Sequence, residues 1–99
     1  MTRIKKLADE MKDELCSAKE YAEEYLSFKA EENTTWANRY KEMANDELKH
    51  ANYIHERAVT EIDELREVYT PPQKMLDKWE KDHNKYIEKA AWIKQMLSM

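Results

Sequence analysis

None of the 99 residues is glycine. Glycine supplies most positive-φ positions, and two-residue β-hairpins depend on them, so a chain without it has few ways to turn tightly. Helix formers (Ala, Leu, Glu, Lys and Met) fill most of the remainder. The chain is therefore expected to be all-α, one domain over residues 1–99, near the size at which a single core becomes self-sufficient. Two breaks divide it. The first is the polar run Glu31-Glu32-Asn33-Thr34-Thr35, where Asn33 can end one helix and Thr34 or Thr35 can cap the next. The second is Thr70-Pro71-Pro72-Gln73, with Thr70 as N-cap, Pro71 in the first helical position and Gln73 closing a capping box. The spacing predicts helices over 2–32, 35–68 and 71–97, each on the order of 40–50 Å long.

At 100° per residue each segment carries one apolar stripe. In the first it is Ile4, Leu7, Met11, Leu15, Ala18, Ala22, Tyr25 and Leu26. In the second it is Trp36, Tyr40, Met43, Ile54, Ala58, Leu65 and Val68, and in the third Leu76, Trp79, Ile87, Ala90 and Leu97, with Tyr86 at its edge. Short links between long helices favour antiparallel neighbours, an up-down-up bundle. Trp92 and Met96 fall off the third stripe. They predict a second apolar surface and self-association into a dimer or higher homo-oligomer.

Charge removes several function classes. A net charge of −4 offers no basic footprint for nucleic acid. No stretch is apolar for long enough to span a membrane, and no signal-peptide core follows Met1. The single cysteine, Cys16, excludes an internal disulfide framework and reads as a surface thiol. A cytoplasmic protein is the expectation.

Chemistry is carried by polar residues within the stripes. Glu47 and His50 fall in the gap between Met43 and Ile54, and Glu14 lies in the first stripe. Burying a carboxylate needs a positive partner, and neither acid has one on its own helix face. Glu and His three apart point the same way on a helix, so they can grip one cation. A hairpin turning near residues 31–33 brings Glu14 to the depth of Glu47. Glu14, Glu47 and His50 are thus a candidate metal site, half of a di-metal carboxylate set whose other half a two-fold dimer would supply. The competing reading is a hydrogen-bonded polar layer that fixes helix register.

The run KAEENTTWANRYKEMANDELKHANYIHERAV, residues 29–59, resembles the first helical hairpin of ferritin-like and rubrerythrin-like proteins. The resemblance lies in the polar EEN turn, the aromatic-and-alanine face and Glu47-Leu48-Lys49-His50-Ala51, and the distance from Glu14 to Glu47 suits that family's first-helix ligand. It extends over about residues 7–67. With one hairpin, the chain looks more like the half-length members of encapsulated-ferritin type, which complete a four-helix bundle by dimerisation. The resemblance implies a di-iron site, with manganese as the other metal, and ferroxidase, peroxidase or iron-handling roles.

Glu80-Lys81-Asp82-His83 repeats the Glu-x-x-His spacing. A turn near residue 71 places Glu80 and His83 opposite residues 59–62, so Glu61, Glu80 and His83 are a second, weaker candidate cluster. His55 reads as a flanking structural histidine. Tyr21, Tyr25 and Tyr40 read as core. A rival class remains open: a metal-free helical interaction module that binds a protein partner or sequesters a small ligand. Three Trp and six Tyr supply its contact surface, with Trp92 as anchor.

Overall fold

The computed structural model describes residues 2–99. Its elements are α1 (Thr2–Ala30), α2 (Thr34–Val68) and α3 (Gln73–Ser98), with no strand among the described residues. They form a rod of 55 × 18 × 17 Å.

The first turn solves the missing-glycine problem at a cost. Glu32 takes φ 62°, the left-handed region. Its N–H donates to the Lys29 carbonyl at 3.0 Å, and the Asn33 N–H donates to the Phe28 carbonyl at 2.9 Å. This is the Schellman closure, normally built on glycine. α1 accordingly stops at Ala30, short of the expected Glu32. Asn33, rather than Thr34 or Thr35, caps α2, accepting from the Trp36 N–H at 3.3 Å.

The second link also departs from expectation. Thr70 does not cap α3, and Pro71 does not open it; the helix starts at Gln73, with Pro72 at ψ 136° before it and no side-chain cap. The residue preceding a proline is held out of the α region. Pro72 therefore bars Pro71 from the first helical position. Residues 69–72 run outside the helices, Tyr69 extended at φ −164° and ψ 170°.

α1 and α2 lie side by side along most of their length. Arg3 meets Glu61, Glu14 meets His50 and Tyr21 meets Tyr40, so partners fall along α2 as they rise along α1. Alanines line the seam: Ala18, Ala22, Ala44 and Ala51 have no exposed surface. The buried residues of α2 are Ala37, Ala44, Leu48, Ala51, Ala58 and Ile62. Of the stripe expected there, Trp36, Met43 and Val68 are exposed. Small side chains let two backbones approach closely, and this tight seam, rather than the bulkiest side chains, sets the rotation of α2.

α3 lies mainly on α1 and touches α2 little. Its second half is anchored by buried Tyr86, Ala90, Ile93, Met96 and Leu97. Its first nine residues, 73–81, bury none. Met96 is in the core rather than on a second apolar surface, and Ile87 is exposed rather than buried. Trp92 is exposed. At the far end the Lys29 ammonium donates to the Met99 carbonyl, tying the end of α3 to α1.

Candidate functional site

Because Leu48 and Ala51 face α1, the helical step of 100° turns Glu47 to the edge of the seam and His50 further out. On α1, buried Leu15 and Ala18 turn Glu14 to the same edge. The structure brings these three together: one ligand atom from each of Glu14, Glu47 and His50 lies within 4.8 Å of the others. The His50 Nδ1 is 3.7 Å from Glu14 Oε2 and 3.8 Å from Glu47 Oε1. Their burial differs from the inward placement read from the stripes. The carboxylates are partly buried, and the imidazole is about half exposed, at 53%. The site is an open notch on the flank of the α1–α2 pair.

Electrostatics tie the carboxylates to each other. The Glu47 carboxyl holds its proton above the usual range, first through a side-chain hydrogen bond with Glu14, then through burial and the Glu14 charge. The His50 charge opposes this and does not overcome it. Two carboxyls held this close favour a cation between them.

A first-row divalent ion holds carboxylate oxygen and imidazole nitrogen at about 2.0–2.2 Å. Ligand atoms spread over 4.8 Å reach that shell after small side-chain rotations. The hard-to-borderline O, O, N set suits iron, manganese or zinc. Three protein ligands leave the remaining positions open toward solvent beyond His50. The residues present thus fit one cation per chain, and the described residues place no further carboxylate or imidazole within ligand distance of the three.

The flank around the notch is mixed. Two helical turns toward the α1–α2 link, Phe28 stacks on Tyr40 at 5.6 Å, with Tyr21 and Trp36 tilted against the same ring at 6.1 and 6.4 Å. Trp36 and Met43 are largely exposed there. In the other direction Glu61 is claimed by Arg3 at 2.9 Å and Arg57 at 3.3 Å.

The second candidate cluster is not assembled. Glu61 is on the guanidinium groups, Glu80 is exposed, and His83 faces His55 instead. The four-residue link delays the start of α3, so His83 lands opposite residue 55 rather than 59–62. His55 Nε2 and His83 Nδ1 are 2.6 Å apart. The His55 ring also stacks on Tyr86 at 4.7 Å and Trp79 at 5.6 Å. The Tyr86 hydroxyl donates to Asn52 Oδ1 at 3.3 Å. Reading His55 as a lone flanking residue missed this pair, whose only sequence signal was the i, i+4, i+7 spacing of Trp79, His83 and Tyr86.

Cys16 is exposed, with the Lys89 ammonium 3.5 Å from its sulfur. Among the described residues no helix is long and apolar enough to cross a membrane. No protein-family model, no curated protein and no solved structure matches the chain.

Proposed function

We propose that this chain is a metal-binding helical protein that holds a divalent first-row cation, with iron the leading candidate and manganese next, at Glu14, Glu47 and His50. The observation that carries the reading is the convergence of two carboxyls and one imidazole from two helices, with the carboxyls close enough to raise the proton affinity of Glu47. In the bound state the Glu47 and Glu14 carboxylates would supply the charge. His50 supplies the neutral nitrogen and closes the outer side. The pairings of α1 with α2, and of His55 and Asn52 with His83 and Tyr86, support an up-down-up course with antiparallel sequence neighbours.

In this reading the ferritin-like resemblance extends to assembly. The notch opens on the flank away from α3, and the exposed Trp36 and Met43 beside it are surface that a second copy would cover. A two-fold partner would bring a second Glu, Glu and His set opposite the first, making a di-metal carboxylate site within a four-helix arrangement. Iron bound there would supply redox chemistry toward oxygen or peroxide. Equilibrium dialysis with Mn(II) tests the site: Glu47→Gln and His50→Ala are each expected to weaken binding at least about tenfold, a loss of roughly 1.4 kcal/mol. Unchanged binding in both variants would reject it.

A second reading rests on Trp92, half exposed on α3 away from the notch. Under it the protein is a metal-free interaction module, with the indole as anchor for a protein or small ligand. Pull-down or ligand binding that Trp92→Ala abolishes and Glu47→Gln leaves intact would favour this reading. The reverse pattern would favour metal.

A further inference from the structure

α3 is held in two unlike ways. Its second half carries five buried side chains, Tyr86, Ala90, Ile93, Met96 and Leu97. Of residues 73–83 in its first half only Asp82 is buried, and this stretch meets α2 chiefly through His83 on His55 and Trp79 against the same ring. We propose that the His55–His83 pair is a proton-operated latch, which holds the first half of α3 on α2 and releases it in acid while the second half stays on α1.

The chemistry of an imidazole pair sets the switching point. A 2.6 Å N···N contact is a hydrogen bond, so one ring must offer a lone pair. Two neutral rings satisfy this, as does one protonated and one neutral ring. Two protonated rings do not: each nitrogen then carries a hydrogen, no acceptor is left, and two cations face each other with centroids 4.7 Å apart. The latch opens when the pair takes its second proton.

The surroundings place that step on the acid side of the ordinary imidazole range. Burial, then the charge on His83, lowers the proton affinity of His55, and Glu56 on α2 only partly opposes them. On α3 the buried Asp82 is occupied by the Lys78 ammonium at 2.9 and 3.0 Å. From α1, Lys12 lines the groove that α1 forms with Asp82, Lys85 and Tyr86, and lysines keep their charge throughout this range. The hinge falls at Tyr86, whose buried ring and bond to Asn52 stay with the anchored half. Opening uncovers Ala8 and Met11, which line the same groove of about 280 Å³.

Trp79 is the reporter. With Trp36 and Trp92 replaced by Phe, its emission is followed from about pH 7.5 to about pH 5, with far-UV circular dichroism on the same samples. The latch predicts a reversible red shift of Trp79 at constant helical signal, absent in His83→Gln and in His55→Gln, whose amides keep a hydrogen bond and cannot titrate. Hydrogen exchange on the unmodified chain, corrected for intrinsic rates, is expected to accelerate in residues 73–82 and not in 86–97. A shift of equal size in both Gln variants would overturn the proposal. So would loss of helical signal in the same transition, or uniform acceleration of exchange along α3.

Discussion

α2 carries two histidines five residues apart, and they live in different chemical worlds. His50 sits half exposed at an open notch, facing Glu47 on its own helix and Glu14 across the α1 seam. His55 is turned roughly 140° from it about the helix axis and lies between aromatic rings of α3, bonded to another imidazole. Both come from one stretch, DELKHANYIH. The first environment supplies negative charge with free ligand positions. The second supplies burial and another imidazole, so it punishes any extra charge. What an imidazole is suited to do here is decided by the flank it faces, not by the motif in which it is embedded.

The largest effect separates both sites from the anchor of α3. Ile93 is fully buried, so Ile93→Ala should cost about 2–5 kcal/mol in urea unfolding. Metal affinity per folded chain should be unchanged, because the notch lies on the other flank. If affinity falls in step with stability, the two regions are not independent. Next in size, saturating divalent metal at roughly 100 times its dissociation constant should stabilise the protein by about 2.7 kcal/mol. At the same metal concentration Glu47→Gln and His50→Ala should each remove about half of that gain or more, and His55→Gln should keep it. Retention in the first pair, or loss in the third, would break the comparison between the histidines.

A smaller effect tests the turn that sets the register of both flanks. Glu32 stands in the left-handed region, where a side chain costs roughly 1–2 kcal/mol and glycine costs little sterically but more in chain entropy. Glu32→Gly should therefore raise stability by about 1 kcal/mol or less. A loss of stability would show that the Glu32 side chain contributes more than its backbone costs. The smallest effect is in pH dependence, where the flanks should act in opposite directions. Glu47 holds its proton above the usual range, so in metal-free protein its contribution is full below about pH 4.5 and is lost as pH rises through its folded-state value. His55 binds a proton less readily than a free imidazole, so its contribution is present above about pH 6.5 and is lost as pH falls through its own. Urea midpoints across pH should lose the first slope in Glu47→Gln and the second in His55→Gln.

Much of this was legible in the sequence, and the failures have physical causes. Three helices follow from the absence of glycine and the two polar or proline breaks, and their bounds hold to within two residues. The proximity of Glu14 to Glu47 and His50 follows from a hairpin whose turn position is fixed by Asn33. Their depth did not follow. Ranking α2 by its bulkiest apolar residues placed Trp36, Met43 and Val68 inside, whereas alanines make the closest seam, and the rotation turned the acids to an edge. The His55–His83 pair was hidden by the link. Pro72 bars a helical Pro71, and the later start of α3 moves His83 about one turn along α2.

The central claim is that Glu14, Glu47 and His50 form a metal site completed by a second copy. It is tested most directly by adding Fe(II) anaerobically to chelator-stripped protein and counting iron per chain across a sizing column. The account predicts saturation near one iron per chain, eluting with a dimer or larger assembly, and no saturation in Glu47→Gln or His50→Ala. Absence of saturable iron in the parent chain, or the same uptake in both variants, would contradict it.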